Sequence, residues 1–122
     1  MQPAIKIKRV YEKAESQDGY RVLVDRLWPR GLTKEEVHLD EWAKDIAPST
    51  PIRLAYAHVP ERWDAFKIQY KNELKHNEEV PSFLDKWEDH PTITLLYAAK
   101  DTEHTHALVL QEYLKKCYAA RK

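Results

Sequence analysis

Apolar residues fall along this chain in two rhythms. Two short stretches, Tyr20 to Val24 and Thr92 to Ala98, are apolar at almost every position, the pattern of a strand buried on both faces of a sheet. Ala4 to Val10 alternates instead, with Ile5, Ile7 and Arg9 opposite Lys6 and Lys8, as a half-buried strand does. Ser16-Gln17-Asp18-Gly19 is the turn leading into Tyr20.

The second rhythm is helical. Thr33-Lys34-Glu35-Glu36 fits a capping box and starts a helix. Beyond it, Leu39, Trp42, Ala43 and Ile46 follow a helical stripe, yet Leu39 to Ile46 fits an irregular strand equally well, and Pro48 closes the segment either way. Thr50-Pro51 reads as an N-cap followed by proline at the first helical position, for a helix to about Ala57. Pro60 starts the next helix, whose face is Trp63, Phe66, Tyr70 and Leu74. Pro81-Ser82 opens a short one carrying Phe83, Leu84 and Trp87, ended by His90-Pro91. A last helix, from about Glu103 to Tyr118, puts Ala107, Leu110, Leu114 and Cys117 on one stripe. The pattern predicts an α/β domain, a small sheet covered by helices.

Composition changes this picture mainly by exclusion. At 122 residues the chain is one domain, and 43% hydrophobic residues with four Trp and seven Tyr supply a core without metal or disulfide staples. Lys plus Arg and Asp plus Glu number 20 each, so no overall field draws in nucleic acid or an anionic membrane. A single cysteine excludes an intrachain disulfide. With no secretory apolar region and no long apolar run, a soluble cytoplasmic protein is expected. Only Gly19 and Gly31 occur, so neither GxGxxG nor a Walker loop can be written, because both need glycines for close backbone approach to phosphate. The sequence names no cofactor.

Candidate chemistry sits where the two apolar runs end. Asp25, Arg26, Trp28 and Arg30 follow the first; Lys100, Asp101, His104 and His106 follow the second. In an open α/β sheet, ligands bind outside the carboxyl ends of the strands. If the two runs are neighbouring parallel strands, polar atoms of the two loops should come within roughly 8 Å in a shared pocket.

The segments RVYEKAESQDGYRVLVDRLWPRGLTKEE, DEWAKDIAPST, PERWDAFKIQYKNEL and TLLYAAKDTEHTHALVLQEYL together resemble the YeaO-like branch of the domain-of-unknown-function 488 family, over nearly the whole chain and in motif order. The resemblance implies a small bacterial α/β protein with a three-layer, Rossmann-like, mostly parallel sheet, and it favours a strand within Leu39 to Ile46. It implies no reaction. The related main branch commonly carries cysteines in the last strand-loop-helix, where Tyr97 and Thr105 stand here, so thiol or thiolate-metal chemistry does not carry over. The candidates the resemblance keeps are Asp25, Arg26, Pro29, Arg30, Lys100, Asp101 and His106.

Each candidate also has a structural reading. Asp25 is a general base or metal ligand at a strand end, or half of an ion pair with Arg26. Arg26 and Arg30 suit bidentate binding of an anion or pair with Glu35, Glu36 or Asp40. Trp28 is a stacking platform or a lid on the core. On a helix, His104 and His106 point about 200° apart and cannot share a metal, so one of them in the pocket as a proton shuttle is the better reading. Cys117 reads as a small buried hydrophobe.

Three functions follow. The first is an enzyme on a small anionic or nucleotide-like substrate, with Arg26, Trp28, Arg30 and Lys100 binding and Asp25, His106 and Asp101 as catalytic groups. The second is a non-catalytic module binding a small anion in the same crevice. The third, a nucleic-acid-associated regulator, is disfavoured by balanced charge and the lack of a basic recognition helix.

Overall fold

The computed structural model describes residues 2–121. Four parallel strands form one sheet: β1 (Ala4–Arg9), β2 (Tyr20–Leu23), β3 (Glu41–Trp42) and β4 (Thr92–Tyr97), in the order β1-β4-β2-β3. The helices are α1 (Lys34–Val37), α2 (Thr50–Tyr56), α3 (Trp63–His76), α4 (Glu79–Trp87) and α5 (His106–Ala120).

β4 is paired on both sides, which is why its run is apolar throughout. Its alternate residues serve two cores. Ile93, Leu95 and Tyr97, with Ile5, Val22 and Val24, pack under α3, α4 and α5. On the opposite face Leu96 and Leu23 meet Val10 and Val37, flanked by Trp28, Leu32 and Trp42. The result is three layers: helices, sheet, and a thinner cover of loop with α1.

Several boundaries differ from the sequence pattern. The undecided segment divides, with Glu41–Trp42 pairing to Val22 and Leu23 as β3 and Lys44–Ile46 forming a 3-10 turn. α2 is preceded by Ser49 as its cap residue, not Thr50; the Ser49 N–H donates to Glu73 Oε1 (3.0 Å) and its side chain makes no cap. α4 begins at Glu79, so Pro81 lies in its first turn, where a missing N–H costs nothing. α5 begins at His106, because Thr105 Oγ1 accepts from Ala107 N and sets the helix start there. Cys117 is half-buried rather than buried. The Thr33 capping box is present as read: Glu36 N donates to Thr33 Oγ1 and Thr33 N to Glu36 Oε1. Among the described residues, no helix is long and apolar enough to cross a membrane.

Candidate functional site

The sheet order creates a crevice. β2 and β4 are neighbours, but the chain leaves β2 toward the loop-covered face and leaves β4 toward α5 on the helical face. Strands whose continuations part in this way open a gap beyond their carboxyl ends, where α/β proteins place ligands. A pocket of about 600 Å³ occupies it.

Asp25 spans the gap. Its Oδ2 accepts from Ala98 N (2.9 Å), its main-chain carbonyl accepts from Trp42 Nε1 (2.7 Å), and its Oδ1 lies 3.1 Å from His106 Nε2. The two loops therefore do share one pocket. His106 Nε2 is also 3.0 Å from the Val24 carbonyl. Both neighbours are acceptors, so this nitrogen carries a proton, and its N–H donates to the carbonyl. Asp25 Oδ1 is left buried with no hydrogen-bond partner. In the neutral imidazole, Nδ1 is then the nitrogen with the free lone pair.

Arg26 does not pair with Asp25, Glu35, Glu36 or Asp40. Its Nε donates to Pro48 O (3.2 Å) and its Nη2 to Ala47 O (2.9 Å), clipping the segment before α2 to the end of β2. Arg30 is exposed and its side chain makes no hydrogen bond or ion pair; its main-chain carbonyl accepts from the Tyr11 hydroxyl (2.9 Å). Trp28 is a lid on the core and also borders the pocket. It packs on the smaller core, with its Nε1 donating to Leu32 O (2.7 Å) and its ring edge-on to Trp42 at 5.4 Å, while it also lines the pocket.

Lys100 and Asp101 lie outside the pocket lining and are exposed. Asp101 Oδ1 accepts from Glu103 N and His104 N, both at 2.9 Å, and its Oδ2 meets His104 Nδ1 at 3.0 Å. The Glu103 N–H holds this carboxyl below its usual range; desolvation opposes it and His104 reinforces it. The expected proximity to the strand end was right for His106 and not for these two, because the intervening turn directs them to solvent.

The opposite wall comes from residues the sequence did not single out. Arg53, Leu54, Tyr56, Ala57 and His58 face Trp28 and Pro29, with Phe66 behind them. Arg53 has no acidic partner. Burial, with a smaller push from the Asp101 charge, holds the Tyr56 phenol above its usual range, so it is a neutral wall. Ala57 and His58 both have positive φ, 51° and 57°. Two consecutive non-glycine residues in this conformation store strain of order 1 kcal/mol each, and no sequence signal announces it. No cluster of three or more metal-ligating side chains occurs among the described residues.

Residues 4–122 match the family model described as the inactive DUF488-N3 subclade. The uncharacterized protein YeaO of Escherichia coli is 48% identical over 112 residues, covering 91% of this chain and 96% of that protein. The uncharacterized proteins Rv3073c of Mycobacterium tuberculosis and Mb3100c of Mycobacterium bovis are each 39% identical over 110 residues, covering 90% of this chain and 92% of theirs. No solved structure matches. The chain belongs to the YeaO-like DUF488 family, in its inactive DUF488-N3 subclade.

Proposed function

We propose that this protein is a binding module for a small organic anion, held in the crevice between β2 and β4 without being turned over. The observation that carries the reading is charge. Arg26, Arg30 and Arg53 line the pocket, none of them has a carboxylate partner, and Asp25 is the single acid in the lining. Arg26 is tied to main-chain carbonyls, which leaves Arg30 and Arg53 as the lining cations whose planar forks an anion can match. The pocket volume lies within the roughly 300–1,000 Å³ of small-molecule sites, and strain at Ala57 and His58 sits on its edge.

Absence of turnover is supported by the way the two proton-carrying groups are engaged. Asp25 Oδ2 is held by Ala98 N–H, and His106 Nε2–H points at a backbone carbonyl. The subclade's description as inactive agrees with this. One observation favours the enzymatic alternative: the Asp25–His106 pair leaves Oδ1 without a hydrogen bond and Nδ1 with a lone pair, as a proton-transfer dyad would need.

Thermal shift with phosphate, sulfate and a panel of organic phosphates tests the binding reading. At a ligand concentration about a hundred times Kd, mass action adds about 2.7 kcal/mol, a rise in Tm of roughly 10 °C for a domain of this size. Arg30→Ala and Arg53→Ala should each reduce the shift. No shift with any anion would overturn the proposal. Conversion of a bound ligand, followed by NMR and lost in Asp25→Asn, would move the protein to the enzymatic alternative.

A further inference from the structure

We infer that the anion is a nucleoside monophosphate, its heterocycle against the Trp28 wall and its phosphate between Arg30 and Arg53. The inference rests on the anion-binding reading and narrows it. Inorganic phosphate would leave most of a 600 Å³ pocket unfilled, and the unfilled part is apolar, bounded by Trp28, Pro29, Leu54, Tyr56 and Phe66. The ligand therefore has an apolar body as well as a charge.

The shape of that body follows from how the walls are held. Trp28 cannot swing to fit a flexible chain: its indole N–H is tied to Leu32 O at 2.7 Å and its ring abuts Trp42. Tyr56 is equally constrained, packed against Phe66 at 4.9 Å and Trp63 at 5.7 Å between ring centroids. Rigid aromatic surfaces favour a rigid planar group, and every nucleobase offers a π-face. The charged end is separately provided for. Arg30, from the turn after β2, and Arg53, from α2, both line the pocket, and neither pairs with a carboxylate among the described residues. A phosphate with three terminal oxygens offers two such forks more acceptor sites and more charge than a carboxylate with two.

The polar edge of a base also has counterparts. The lining also holds His106 and the half-buried His104, whose rings offer polar nitrogens. An aliphatic carboxylate would leave these groups facing hydrocarbon, an unfavourable exchange for their hydration. Phosphate recognition here needs no glycine-rich loop, since side chains take the role that backbone N–H groups have in such loops.

The test is calorimetric titration of the intact protein with AMP, UMP, ribose 5-phosphate, inorganic phosphate and octanoate. The nucleotides should bind at least about fivefold more tightly than ribose 5-phosphate, the lower end of base–aromatic stacking. Trp28→Leu should remove that difference while leaving ribose 5-phosphate affinity unchanged, and Trp28→Phe should keep most of it. Because Trp28 also packs on a core, saturation-transfer NMR on the parent gives an independent readout, in which base protons receive more saturation than ribose protons. Equal affinity for ribose 5-phosphate and nucleotides, or tighter binding of octanoate, would overturn the nucleotide inference and leave the anion site standing. No binding by any of the five would remove both.

Discussion

Arg26 and Arg30 look alike in the sequence and should respond very differently to truncation. Arg26→Ala removes two hydrogen bonds from a charged donor, to Ala47 O at 2.9 Å and Pro48 O at 3.2 Å. Each such bond contributes about 1.5–3 kcal/mol at full strength. The longer one and the partial exposure of the guanidinium argue for the lower end, so the free protein should lose roughly 2–4 kcal/mol. Part of that loss comes from the carbonyls of two buried residues, Ala47 and Pro48, left without a protein donor. Arg30 is exposed and its side chain has no partner, so Arg30→Ala should stay within about 0.5 kcal/mol of the parent. Urea unfolding followed by tryptophan fluorescence, extrapolated linearly to water, resolves a difference of this size. Equal stability of the two variants would refute the clip between β2 and the segment before α2. A loss of several kcal/mol in Arg30→Ala would refute its description as an unpaired group available to a ligand.

Three further outcomes follow from the same coordinates. Gly19→Ala should cost about 3 kcal/mol or more in urea unfolding, because φ is +66° and the added Cβ would meet the Thr92 carbonyl oxygen at 2.4 Å, whereas Gly31→Ala, at φ +83° with open space around it, should cost only about 1–2 kcal/mol. Burial opposes ionisation of Asp18, but the Glu15 N–H, Lys8 and Arg21 outweigh it and hold its carboxyl below the usual value; this contribution is present above about pH 4 and lost as pH falls through the lowered value, so the Tm of Asp18→Asn should fall less steeply with acid than that of the parent. Burial raises the Cys117 thiol, with Tyr113 and Arg121 opposing it, so a thiol reagent at pH 8 should label the folded protein more slowly than the urea-unfolded chain, and Cys117→Ala should cost on the order of 1 kcal/mol.

What the sequence made legible is what burial dictates locally. β2 and β4 announce themselves because both faces are covered, and α3 shows its stripe because Phe66, Tyr70 and Leu74 all reach the core. β3 is two residues long and exists through its pairing with Val22 and Leu23, a relation no window on Glu41 and Trp42 contains. Arg26 was misread for a related reason: its partners are backbone carbonyls, which leave no mark in the residue alphabet. Distance along the chain also misled at the second loop. Lys100 and Asp101 follow β4 most closely, but Asp101 turns to cap Glu103 N and His104 N, and the residue returned to the pocket is His106, where α5 starts. The α2 wall was invisible because nothing in residues 53–58 indicates which loops it will face.

A binding pocket and an inactive lineage are physically compatible here, because shape and chemistry are held by different atoms. The crevice is kept open by clasps to the main chain: Asp25 to Ala98 N, Trp42 to Asp25 O, His106 to Val24 O, Arg26 to Ala47 O and Pro48 O. None of these contacts needs a nucleophile. Tyr97 is buried in the larger core, and Thr105 caps α5. Arg30 and Arg53 line the same crevice without a carboxylate partner among the described residues. Under the anion-binding proposal, their truncation separates binding from architecture more cleanly than any change at Asp25 or His106.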